Sequence, residues 1–188
     1  MPHLTHEKIV NNLNILNEDI KSYNTFIESG TNMGQTIFNL VNSFLELHTI
    51  EVAFIYYNFF NQIKIQENYN NVKNYWGDTI KILPEILESC EEKNKCIFWL
   101  DGHFSSGNTE YGEKHVPLIE ECCLIDKFYK AENGIIFIDD FRLFGTHLTE
   151  DWSDINLNNI LNCFKNFKIK KNFVKDDILI IFIEKEKN

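Results

Sequence analysis

The chain has 188 residues, a formal charge of −10, 44% hydrophobic and 14% aromatic residues. That length suits one domain, 1–188, with an N-terminal helical segment (1–22) and a core (23–188), and the composition lies far from that of disordered chains. The acidity gives no electrostatic grip on nucleic acid or an anionic membrane, the longest apolar run (Ile178–Ile183) is too short to span a bilayer, and the first ten residues carry no export signal, so a cytoplasmic setting is expected.

Ile9, Leu13, Leu16 and Ile20 recur at helical spacing, so His6–Lys21 reads as a helix. Tyr23–Glu28 reads as a first strand, Ser29–Gly34 as a glycine-bearing turn and Gln35–Glu46 as a helix. A second strand is expected at Thr49–Ala53, an aromatic helix at Phe54–Asn70, a third strand at Val72–Trp76 and a helix at Thr79–Lys93. Pro84 argues for a later start to that helix, because proline suits only a first turn. Cys96–Leu100 and Gly134–Ile138 are almost wholly apolar, as buried parallel strands are. Between them lie a polar loop, Gly102–Val116, and a helix opened by Pro117. A helix at Asn156–Asn166 precedes two strands, Phe167–Val174 and Ile178–Glu184, whose short connection implies an antiparallel pair. The sum is an α/β, Rossmann-like, doubly wound sheet of seven mostly parallel strands, with a C-terminal antiparallel hairpin as a reversed edge and helices on both faces.

Ligands of such sheets collect at the carboxyl ends of the strands. Here those ends carry acids: Glu28, Glu51, Asp78, Asp101, and Asp139 with Asp140. Clustered carboxylates repel one another, so a bound cation, or hydroxyl and amine donors on a ligand, would compensate them. In the first turn Gly30 permits a tight bend and Gly34 leads into a helix N-terminus, although the spacing is not that of GxGxxG. Glu51, about 20 residues beyond that turn, suits a ribose diol. Together they point to an adenosine-containing ligand. Asp78 suits an adenine amine or a helix N-cap, and both roles can hold at once.

The ExGxxxG of Glu28–Gly34, the acid after the second strand, Gly77-Asp78 after the third and the terminal hairpin resemble class I methyltransferases, from about Tyr23 onward. Leu100-Asp101-Gly102-His103 and Ile138-Asp139-Asp140-Phe141 resemble, more narrowly, the macrocin-type metal-dependent sugar O-methyltransferases. The resemblance implies S-adenosylmethionine as cofactor, held by Glu28, Gly30, Thr31, Gly34, Glu51, Asp78 and Asp101, and a divalent cation such as Mg²⁺ held by Asp101, Asp139 and Asp140. It implies methyl transfer to a hydroxyl of a sugar or other polyhydroxylated small molecule. Asp101 and His103 would be catalytic, with His103 standing where the family often has a second aspartate. Three strand-end carboxylates suit a hard cation, and a histidine suits proton transfer near neutral pH.

Other residues read more plainly. His115 and His147 read as surface histidines, and Arg142 as a contact for an anionic substrate or a salt-bridge partner of an acid. Ser105–Thr109 suits hydroxyl-rich ligands or any exposed loop. Five cysteines without a CxxC pair read as reduced thiols rather than a zinc site. A non-catalytic methyltransferase-like domain and a nicotinamide-dependent oxidoreductase are the alternatives, and the size is compatible with a homodimer.

Overall fold

In the computed structural model, which describes residues 3–104, 110–147 and 150–186, a single seven-stranded sheet runs through the molecule. Its strands are β1 (Thr25–Ser29), β2 (Glu46–Glu51), β3 (Val72–Trp76), β4 (Cys96–Leu100), β5 (Asn133–Ile138), β6 (Phe167–Lys175) and β7 (Ile178–Lys185). Their order is β3-β2-β1-β4-β5-β7-β6. The first five are parallel, and β7 runs antiparallel to both β5 and β6. The reversed strand therefore lies inside the sheet, not at its edge as the sequence suggested. Its apolar run explains this: Ile178–Ile183 is buried on both faces, whereas β6 alternates with exposed residues as an edge strand should.

Six helices cover the two faces: α1 (His6–Leu16), α2 (Gln35–Leu40), α3 (Phe54–Gln66), α4 (Thr79–Ser89), α5 (Leu118–Phe128) and α6 (Leu157–Leu161). Side chains of a strand alternate between faces. Phe26, Leu47, Ile97, Trp99 and Phe137 meet Leu13 of α1, Ile37 of α2 and Phe60 of α3. Ile27, Ile50, Phe98, Ile136 and Ile181 meet Leu87 of α4, Ile125 of α5 and Ile160 of α6.

Among the local outcomes, two differ from the sequence expectation for visible reasons, while the terminal hairpin forms as expected. The helix after the first turn stops at Leu40, and β2 begins at Glu46. Asn71 donates to the carbonyls of Val41 and Phe44, so the chain can leave the helix early without orphaning them. α4 starts at Thr79 despite Pro84, because Asp78 caps it, its carboxylate accepting from Ile80 N at 3.0 Å. The β6–β7 connection is Asp176-Asp177, both left-handed (φ 52° and 66°), which matches the two-residue turn that a right-twisted hairpin favours. All five cysteines are free thiols. Among the described residues no helix is long and apolar enough to cross a membrane.

Candidate functional site

β1 lies between β2 and β4, so successive crossovers leave it in opposite directions and a crevice opens at the carboxyl ends of β1 and β4. The two strand ends touch there. Gly30 has φ +86°, and a Cβ on it would sit 2.5 Å from the Asp101 carbonyl oxygen. A Cβ on Gly102 would sit 2.9 Å from that of Ser29. Glycine on both turns is thus what lets the strand ends meet.

A cleft opens at this junction. Gly30, Glu51, Asp101 and His103 line it, with Ile50, Val52 and Tyr56 as an apolar flank. A second hollow, sharing Gly30, Asn32 and Asp101 with the first, continues past Thr31 and Thr36 toward His3. The two form one groove over the glycine turn. Glu51 is nearly buried, and its oxygens accept from Asn32 N (2.7 Å) and Ala53 N (2.8 Å). These bonds fix the carboxylate while leaving each oxygen a lone pair for a ligand hydroxyl. Burial raises its pKa against those same donors.

The other expected cofactor residues take different places. Glu28 lies inside β1, not at its end, and is 1% exposed. It accepts from Thr49 Oγ1 at 2.6 Å; Thr49 has only one proton to give, so Thr31 Oγ1, also 2.6 Å away, donates to Thr49. This relay supports the turn from beneath, and Glu28 does not line the groove. Burial pushes its carboxyl up to about 8. Gly34, with φ +77°, caps α2 and packs against Phe60. Thr31 lines the groove. Asp78 caps α4 and also accepts from Glu113 N at 2.7 Å, so its carboxylate is engaged by backbone, and its neighbour Thr79 lines the cleft instead.

At the ends of β4 and β5 the acids and the histidine do converge. His103 Nε2 lies 3.2 Å from Asp140 Oδ2, and Nδ1 lies 3.8 Å from Asp101 Oδ1. The ring packs edge-on against Trp152, centroids 4.9 Å apart. Asp140, in a left-handed turn (φ 56°), also receives Arg142 Nη1 at 2.5 Å, and Arg142 pairs with Asp177 too. Despite burial, these donors hold the Asp140 carboxyl below its ordinary value. Burial and the neighbouring Asp139 and Asp140 drive Asp101 the other way, well upward. Asp139 is 1% exposed, neither of its side-chain oxygens has a hydrogen-bond partner among the described residues, and burial pushes it up to about 6.

Among the described residues no group of three or more histidine, cysteine, aspartate or glutamate side chains is arranged to hold a metal ion. The left-handed turn at Asp140 places its carboxylate against His103 and Arg142. Arg142 is thus a salt-bridge partner. His147 is exposed and pairs with Asp151, while His115 packs against Tyr111 and Phe104. Residues 105–109, the proposed hydroxyl-binding loop, lie outside the described residues. Sequence reasoning missed Glu121, which sits at the helical spacing of Leu118, Cys122 and Ile125 and is therefore an acid on the apolar face of α5.

No protein-family model matches the sequence, and a search of curated proteins gives no match. Solved structures are similar. An O-methyltransferase from Bacillus cereus in complex with SAH aligns with 98% of this chain and 84% of its own, at 14% identity and TM-score 0.64. The O-methyltransferase TomG from Streptomyces achromogenes, involved in tomaymycin synthesis and solved with SAM, covers 95% of this chain and 78% of its own (12% identity, TM-score 0.62). The fibrillarin pre-rRNA processing protein of Methanococcus jannaschii covers 90% and 69% (14% identity, TM-score 0.55). At such identities the likeness establishes the architecture: the chain has the Rossmann-like methyltransferase fold.

Proposed function

We propose that this chain is an S-adenosylmethionine-dependent O-methyltransferase acting on a hydroxylated small molecule such as a sugar. The observation that carries this is the single groove in which Gly30, Glu51 and Asp101 meet at the switch point of the sheet, ending at His103. The residues suit the cofactor in two parts. Ile50, Val52 and Tyr56 offer an apolar bed for a purine, and Glu51 offers acceptors for a ribose diol. The branch past Thr31 and Thr36 leaves room for the amino-acid end.

When bound, the sulfonium supplies a methyl group whose transfer needs no acid to assist the leaving group. What remains is to orient the acceptor and remove its proton. Asp140 is an acceptor only, so the proton of neutral His103 resides on Nε2, and Nδ1 keeps its lone pair. His103 Nδ1 takes the hydroxyl proton, and the ionised Asp140 stabilises the resulting imidazolium, as a carboxylate does for other catalytic histidines.

The test is a thermal melt with S-adenosylhomocysteine, followed by transfer of labelled methyl from the donor to a panel of sugars and phenols. At about 100 times its Kd the product adds about 2.7 kcal/mol of stability, a shift of several degrees. An unchanged melting temperature with both S-adenosyl ligands would refute the proposal. Methyl transfer by the active protein is expected to survive EDTA; its loss, with recovery on adding Mg²⁺, would restore Asp101, Asp139 and Asp140 as ligands.

A further inference from the structure

A separate, small hollow adjoins the cofactor cleft, with Gly102 and His103 lining both. Apolar side chains, among them Val116, Leu118, Ile138 and Trp152, form most of its wall. Its remaining polar side chains are the carboxylates of Glu121 and Asp139, each 1% exposed. Glu121 Oε1 and both side-chain oxygens of Asp139 are buried without a hydrogen-bond partner. Among the described residues no lysine or arginine lines the hollow. Arg142, which follows the same strand, is committed to Asp140 and Asp177.

Ser29 and Thr79 are hydrogen-bond donors near the Glu121 carboxyl, but a buried carboxylate oxygen left without a donor is costly, and proteins normally pair it. Three orphaned acceptors on two acids, enclosed by apolar wall, form a receptor for a group with several donors and positive charge. A hydroxyl offers one donor, whereas an ammonium offers three. The hollow is smaller than a whole-ligand site, so it suits one functional group of a larger molecule.

We propose that Glu121 and Asp139 bind the amine of the methyl acceptor, making the substrate an amino alcohol or amino sugar; the assignment to a methyl acceptor rests on the methyl-transfer proposal above. Because His103 lines both spaces, a hydroxyl close to the anchored nitrogen faces the imidazole and the methyl-donor cleft together.

Melting of the full chain saturated with S-adenosylhomocysteine tests this, with ethanolamine, ethylene glycol and sodium chloride at matched ionic strength as probes. Ethanolamine is expected to raise the melting temperature where glycol and salt do not. Glu121→Gln and Asp139→Asn are each expected to weaken ethanolamine by about tenfold or more, while both keep the S-adenosylhomocysteine shift that certifies folding. Equal responses to amine and glycol, no response to the amine, or an amine response that survives both substitutions would overturn the proposal. Should a variant not fold, a crystal soaked with ethanolamine decides, by whether the nitrogen contacts Glu121 or Asp139. An amine response without any S-adenosyl response would bring down methyl transfer alone; the reverse would bring down only the amine site.

Discussion

His103 is held from one side by Asp140 and from below by Trp152, so its replacement removes a positioned base and little else. His103→Ala is expected to lower kcat by about 10²- to 10⁴-fold while the Kd for S-adenosylhomocysteine, measured by calorimetry, stays within a factor of a few. Gly30→Ala is expected to do the opposite. It places a Cβ against the Asp101 carbonyl at a backbone angle that L residues avoid, costing about 1–3 kcal/mol in urea melts and abolishing the S-adenosylhomocysteine shift. These positions show what could be read from sequence alone. Asp101 and Asp139 were visible because each closes an apolar run, and Glu51 because it lies about 20 residues beyond the glycine turn; a strand end must deliver its last side chain to the ligand edge. Glu28 looked the same, but β1 continues to Ser29, and the period of two turns Glu28 under the sheet. Glu121 was overlooked because helical spacing places it on the apolar face, where an acid does not belong unless it has work to do.

Among the elements, α4 carries a proline in its interior without losing helical form. Proline removes the hydrogen bond to the carbonyl four residues back, that of Ile80, and crowds it. Pro84→Ala is therefore expected to stabilise the protein by about 1–3 kcal/mol, readable as a higher urea midpoint at unchanged slope. Pro84 argued for a later start to this helix, because a proline weighs against a helix interior. What this leaves out is Asp78, whose cap secures the first turn upstream. α2 failed differently: Gln35–Glu46 is periodic enough for a long helix, but Asn71, thirty residues on, accommodates the early exit. No local pattern carries that information. β3 and β4 appear where expected to the residue, since Gly77-Asp78 and Asp101-Gly102 terminate them sharply.

Taken as one body, the molecule keeps two buried glutamates, Glu28 and Glu121, titrating near 8. Each retains a proton in the folded state that it sheds when unfolded. Their contribution is therefore complete at acid pH and lost as pH rises through the folded value. His48, buried and lowered to about 4, acts in reverse and costs stability as pH falls below its ordinary value. Stability is expected to decline from about pH 4.5 to about pH 8, by several kcal/mol in order of magnitude, most steeply above about pH 6.5 where His48 no longer offsets the loss. Glu28→Gln, which keeps an acceptor for Thr49, is expected to flatten that slope; an equally steep loss in the variant would exclude Glu28 as its source. The alternation of strands and helices made the fold class readable, but the interior position of β7 rests on pairing across more than forty residues, which no local pattern specifies. That placement has a consequence for biosynthesis. Until Ile178–Lys185 leaves the ribosome, β5 carries a bare, wholly apolar edge, and the nascent chain must avoid sticking to its neighbours through Ile135, Phe137 and the backbone groups between them.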